Sequence, residues 1–191
     1  MLSRIAAAAT ALVALAALAG CASAPRLTTS NDAEPFVPEK FFVGTTYAQG
    51  EFVNIIDGTR RGVKAVIRGR FDGASLTLME DFTYSDGGKE RKTWILTKSG
   101  NGVYLGTRED VVGIAKGRLE GPLFRLTYMA NVKTNTSSYD LTFDDVLGYQ
   151  PDGTVLNRAV VSKLGVKIGD ITLKISRRPE AASLQLHAPR R

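Results

Sequence analysis

From Phe41 to Arg177 apolar and polar residues alternate with a period of two, and Gly or Asp-Gly interrupts them at regular intervals. That period belongs to half-buried strands, whose successive side chains point to opposite faces. It predicts ten strands. The first runs from Phe41 to Ile56, with Gly44 and Gly50 as bends or bulges, and ends at Asp57-Gly58. Val63 to Phe71 and Ser75 to Tyr84 follow, separated by Asp72-Gly73, a strong hairpin signal. Asp86-Gly87-Gly88 then turns the chain into Arg91 to Lys98, followed by Gly102 to Thr107 and Val111 to Leu119. Leu123 to Val132, Tyr139 to Tyr149, Thr154 to Lys163 and Gly165 to Arg177 complete the set. No window past residue 20 keeps a helical period.

Many short strands joined by short turns predict an all-β domain. A two-sheet sandwich with Greek-key crossovers is the competing arrangement, but it needs at least one long connection. The expected fold is therefore an antiparallel, up-and-down barrel of about ten strands, which closes its own edges.

The N-terminus has a different pattern. Arg4 precedes an Ala/Leu-rich run from Ile5 to Leu18, then small residues and the lone cysteine, Cys21. This reads as a secretory signal helix over residues 1–20. Leu18-Ala19-Gly20-Cys21 looks like a bacterial lipobox, in which the Cys21 thiol takes a diacylglyceryl group and further acylation such as palmitate. Two or more chains make a stable membrane anchor. The position after the cysteine is Ala22 rather than Asp, which favours the outer membrane over inner-membrane retention. The expected layout is then signal 1–20, flexible tether 21–38, barrel 39–177 and a disordered basic tail 178–191. The expected location is the bacterial cell envelope, facing the periplasm.

Composition narrows the function. The chain has 191 residues, 43% of them hydrophobic, enough for one domain with a core. With Cys21 acylated no disulfide is available. The only histidine, His187, sits in the tail, so Ser-His or Cys-His catalysis and the usual zinc sites lack their parts. No nucleotide-binding glycine motif occurs. The expectation is no enzyme, no cofactor and no metal. The net charge of +6 suits anionic lipid or an ordinary basic surface. Nucleic acid is not an expected partner of an exported, anchored chain.

A small barrel can hold one ligand, so inward polar residues are the candidates. Glu80 shares a strand face with Leu76, Leu78, Phe82 and Tyr84 and would need a partner if buried. Arg91 and Arg158 are candidates to join it in fixing a polar head, with Phe82, Tyr84, Trp94 and Tyr128 as wall. The plainer readings are a structural ion pair and an aromatic core. Arg108-Glu109-Asp110 is expected at the barrel mouth. Asp144 and Asp145, adjacent in a strand, should face opposite ways and so not act jointly.

Several stretches resemble the DUF3833 lipoprotein family. They are Phe41-Phe42-Val43-Gly44 through Gly50, Asp86-Gly87 with Arg91 and Trp94, Tyr104-Leu105-Gly106, and Asp110 to Gly117. Phe143-Asp144-Asp145, Asp152-Gly153, Asn157-Arg158, Ser162-Lys163 and Gly165 to Gly169 continue the resemblance. The chain departs from the pattern at Gln49, Pro122-Leu123 and Val146-Leu147. The resemblance implies a lipocalin-like or calycin-like barrel of unknown function. The function expected is a lipid-anchored envelope protein whose barrel binds a small amphipathic or lipid-like ligand. The alternative is a structural or docking protein with a filled barrel.

Overall fold

A computed structural model describes residues 25–27, 34–134 and 136–183. The signal segment, Cys21 and His187 lie outside them. The ten strands are β1 (Gly44–Asn54), β2 (Arg60–Phe71), β3 (Ser75–Tyr84), β4 (Lys89–Lys98) and β5 (Val103–Thr107), then β6 (Val111–Glu120), β7 (Leu123–Lys133), β8 (Ser138–Tyr149), β9 (Val155–Lys163) and β10 (Val166–Ser176). Each pairs antiparallel with its neighbours in sequence, and β1 pairs with β10 to close a barrel. The up-and-down topology is the one the short turns predict.

The first predicted strand begins differently. Phe41 and Phe42 belong to a short helix, α1 (Pro38–Phe42), with proline in its first turn. The connections β2–β3, β4–β5, β6–β7 and β8–β9 surround this helix at one end of the barrel. Phe36, Phe41 and Phe42 plug that end. The Phe36 ring lies 5.5 Å from Phe41, 6.0 Å from Phe42 and 5.4 Å from Tyr149. Tyr104 meets Phe124 edge-on at 5.3 Å beneath them. Full burial of a phenylalanine is worth ~1.5–3 kcal/mol, so the plug is a large share of the core.

Polar contacts fix the plug in place. Glu39 accepts from Lys98 Nζ at 2.6 Å and from the Tyr104 hydroxyl at 2.9 Å. Arg177 donates to the Val43 and Lys40 carbonyls, at 3.1 and 3.0 Å. Two glycines make room. A Cβ on Gly69 would sit 2.0 Å from the Phe42 carbonyl oxygen, and one on Gly117 would sit 2.7 Å from the Phe124 ring.

Both expected domain boundaries move outward. Phe36 is fully buried, so packed structure begins inside the predicted tether. A 3₁₀ turn over Pro179–Ala182 buries Ala182, so order extends into the predicted tail. Farther upstream, Pro25 is buried and the Arg26 carbonyl accepts from Arg158 Nη1 at 3.4 Å. Val146 and Val160, on the outer face of β8 and β9 by register, are buried there too. Segment 25–27 therefore lies against the barrel flank.

Candidate functional site

The inward side chains change character along the barrel axis. Near the plug, Leu76, Val155 and Phe124 are almost fully buried. Two steps on come Leu78 and Leu126, still buried. Further toward the open end, Glu80, Phe82, Tyr84, Tyr128, Phe143 and Asn157 are only partly buried. This half is less tightly closed and carries the polar side chains.

Strand register assembles the polar group. Leu78 on β3 faces Trp94 on β4, and Glu80 faces Lys92. Phe143 on β8 faces Tyr128 on β7, and Asp145 faces Ala159 on β9, two residues from Asn157. Arg108 and Asp110 come from the β5–β6 connection. That connection is pinned where Glu109 accepts from the Thr93 amide at 2.9 Å and the Asp110 carbonyl from Asn131 N at 2.8 Å. The pinning turns Arg108 inward, where its side chain is 7% exposed.

Arg108 lies 4.6 Å from the Trp94 ring centre and 5.0 Å from that of Tyr128. Trp94 and Tyr128 meet edge-on at 5.0 Å, and Tyr128 stacks on Phe143 at 5.0 Å. Asp110 takes both arms of the Arg108 fork, at 2.6 and 3.2 Å, and Lys92 at 2.8 Å. Lys92 also reaches Glu90 at 3.3 Å, while Tyr84 donates its hydroxyl to Glu90 at 2.9 Å. Burial opposes the charge on Arg108, but Tyr128, Asp110 and Glu80 outweigh it and hold the guanidinium charged. Burial likewise raises Asp110, and Arg108 and Lys92 bring it below the ordinary aspartate value.

Glu80 and Asp145 are different. Burial pushes Glu80 up to about 7, with Arg108 and Lys92 opposing and Asp145 and Asp110 reinforcing. Burial pushes Asp145 up to about 6, against the Asn157 hydrogen bond and the Arg108 charge. Asn157 Nδ2 donates to Asp145 Oδ1 at 3.0 Å. Asp145 Oδ2 and Asn157 Oδ1 are buried without a well-formed hydrogen bond, although the Tyr128 hydroxyl approaches Asp145 and also helps to hold its charge. Two carboxyls that change charge near neutrality share one interior with a fixed cation. Such a group can accept hydrogen bonds from a ligand and exchange protons with it.

Of the residues expected at the site, Glu80, Phe82, Tyr84, Trp94 and Tyr128 do face the interior. Arg91 and Arg158 do not. Arg91 is exposed and donates to Asp81 at 2.5 Å on the outer wall, and Arg158 is exposed and holds Arg26. The β3–β4 register places Lys92, not Arg91, opposite Glu80. Asp144 and Asp145 do face opposite ways: Asp144 accepts from Arg125 at 2.7 Å on the outside. Lys92, Asp110 and Asn157 are interior residues absent from the expected set, and Arg108 enters further than a rim residue would.

Two concavities lie beside the barrel ends, the first sharing Tyr84 with the polar group. One of about 310 Å³ is bordered by Gln49, Gly50, Gly62, Val63, Lys64 and Tyr84, and one of about 210 Å³ by Phe41, Tyr149, Asp152 and Arg177. Among the described residues no three His, Cys, Asp or Glu side chains gather to hold a metal. A family model for proteins of unknown function, DUF3833, matches residues 15–177. No curated protein matches the chain.

Proposed function

The chain belongs to the DUF3833 family, and from that premise we propose that it is a lipid-anchored envelope protein whose barrel takes the polar head of a small amphipathic ligand at its open mouth. The observation that carries the binding reading is the pair of acceptors without a well-formed hydrogen bond, Asp145 Oδ2 and Asn157 Oδ1, closed off in the same interior as the partly exposed Glu80, Phe82 and Tyr128. A buried polar atom left unbonded costs ~1–3 kcal/mol, and in a binding site the ligand removes that cost. Phe82, Tyr128 and Phe143 supply the apolar wall such a ligand needs. With one cysteine and one histidine in the chain, both outside the described residues, we read a binding module rather than an enzyme.

The anchoring part rests on Leu18-Ala19-Gly20-Cys21. Its test is Cys21→Ser, scored by incorporation of labelled palmitate and by sedimentation with membranes. The expected result is loss of both; a variant that still sediments with its membrane removes the anchor. Fractionation of inner and outer membranes places the acylated protein, and Ala22 leads us to expect the outer one.

The binding part is tested on protein purified from membranes, by native mass spectrometry and solvent extraction. A stoichiometric amphiphile is expected, and an empty barrel unmoved by a lipid panel in thermal melts sinks the reading. One observation favours the filled, docking alternative. Ile95, Leu105, Val112, Ile114 and Met129 leave apolar side chains exposed on the outer wall. That alternative predicts the empty barrel and a cross-linked protein partner on this wall.

A further inference from the structure

We infer that the turns joining β1 to β2 and β9 to β10 form a lipid-docking tip, which sets one edge of the barrel mouth into the headgroup layer of the membrane that holds Cys21. The inference rests on the anchor in the reading above and adds the side from which a ligand enters.

Nine hairpin turns connect the ten strands. Among the described residues only these two carry exposed large aliphatic side chains, Ile55 and Ile56 on the first, Leu164 on the second with Val166 just past it. Both are at the mouth, and they are neighbours: β1 pairs with β10, and the Ile55 amide donates to the Ile168 carbonyl at 3.0 Å. Leucine is the unexpected residue. Lys163 pairs with Val166, so Leu164-Gly165 is a two-residue turn, with φ of +50° and +80°. Asn or Asp suits the first position of such a turn, and a bulky side chain is strained there. Leu164 is 94% exposed, so no core contact offsets the strain. An apolar surrounding outside the protein does.

The first turn keeps its polar groups occupied. The Ile56 and Thr59 amides donate to Asn54 Oδ1 and Asp57 Oδ1, both at 2.9 Å, and the Gly58 amide to the Asn54 carbonyl at 2.9 Å. A turn that enters lipid requires this. Asp57 and Lys163 limit the depth, because their charges stay among the headgroups; Lys163 lies over the Tyr139 ring at 4.2 Å. Position selects lipid as the occupant. Arg158, which holds Arg26, is six residues before Leu164, roughly 20 Å along the strand. The chain leading to Cys21 therefore leaves on the flank that carries both tips. Two protruding turns offer little of the ~800 Å² per side that a standard protein interface buries. The exposed wall around Leu105 is on β5, halfway round the barrel from β10, and takes no part in this contact. Four aliphatic side chains hold lipid weakly by themselves, and the short tether raises their effective concentration at the surface.

Protein purified from membranes is reconstituted into vesicles of phosphatidylethanolamine and phosphatidylglycerol. It carries a small fluorophore on Leu164→Cys or, at the plugged end, on Ser99→Cys. Both positions are exposed, so neither variant should unfold. Lipids brominated near the headgroup end of their chains are expected to quench the Leu164→Cys label, placing it about 5–10 Å below the phosphates. The Ser99→Cys label is expected to stay bright. Adding Ile55→Ser and Ile56→Ser is expected to cut the quenching at Leu164→Cys about threefold. Equal, weak quenching of both labels in protein that floats with the vesicles overturns the inference and leaves the anchor standing. A Leu164→Cys label shielded from aqueous iodide in native membranes but not in lipid vesicles also overturns it, and assigns the tip to a protein partner. Protein that does not float with the vesicles at all removes the anchor and the inference together.

Discussion

Asp144 and Asp145 are neighbours in the chain and sit in different solvents. Asp144 faces water and Arg125; Asp145 faces the barrel interior and is pushed up to about 6. Strand parity alone makes the difference, and parity was legible: it put Glu80 inside and split the aspartates. Applied within β4 it would have excluded Arg91 too, since Arg91 and Trp94 are three residues apart and face opposite ways, whereas Lys92 shares the face of Trp94 and lies opposite Glu80. It could not find Arg108, because a connection has no parity and this one is turned inward by Glu109 and Asp110. The raised carboxyls have a pH consequence. Glu80 is influenced by Arg108, Lys92, Asp145 and Asp110, and Asp145 by Asn157, Arg108, Asp144 and Tyr128. Each binds its proton more readily folded than unfolded. Their contribution to stability is therefore full below the ordinary carboxyl range. It falls as pH rises through about 6 for Asp145 and about 7 for Glu80, then levels off. Each alone should remove ~3 kcal/mol between pH ~4 and ~8, and the pair somewhat less than the sum because each charge raises the other's cost. Asp152, lowered to about 2 by Thr154 and Lys174, acts in the opposite sense and only under more acidic conditions. Urea unfolding across this range should show the parent losing stability and the Glu80→Gln, Asp145→Asn double variant nearly flat. Parallel curves for the two would mean that neither carboxyl titrates as described.

The ten strands were legible because each alternates over at least five residues and stops at a turn residue. β3 runs from Ser75 to Tyr84 as expected, and most others differ by one to three residues at an end. The plug was not legible. A five-residue helix is too short to display a 3.6-residue period, and Phe41-Phe42 followed by Val43 reads as the start of a strand. Only packing distinguishes them. Phe36 lies before the helix, yet its ring contacts Phe41, Phe42, Phe124 and Tyr149 and its amide donates to the Pro122 carbonyl at 3.1 Å. Truncating it opens a cavity that barrel walls cannot collapse to fill. Phe36→Ala should cost ~3–5 kcal/mol in urea unfolding. A loss under ~1 kcal/mol would show that the plug is an ornament on a barrel stable without it. The substitution tests position as well as stability. If the plug limits how far an amphiphile's tail can enter, the variant should accept longer chains.

As a body, the molecule is a closed cylinder with one end stopped by aromatics and the other open to water. Its closure follows from short turns and an unbroken run of antiparallel pairs, both readable in advance. The boundaries were not, because Phe36 and Ala182 sit in segments whose composition resembles solvated chain. The most consequential surprise is segment 25–27 on the flank of β8 and β9. The expected spacer between anchor and domain was 17 residues, from Cys21 to Phe41's approach at Pro38. Contact at Arg26 leaves four residues, 22–25, a leash of roughly 17 Å at full stretch. A barrel on so short a leash cannot swing freely. If Cys21 is embedded in a bilayer, the cylinder is moored along its side, broadside to the lipid, with the mouth opening parallel to the surface rather than away from it. Lengthening the leash with a flexible insert after Ala22 should let the barrel tumble, seen as faster rotational relaxation of a label on the wall. Unchanged relaxation would mean that something other than the leash holds the hull against the quay.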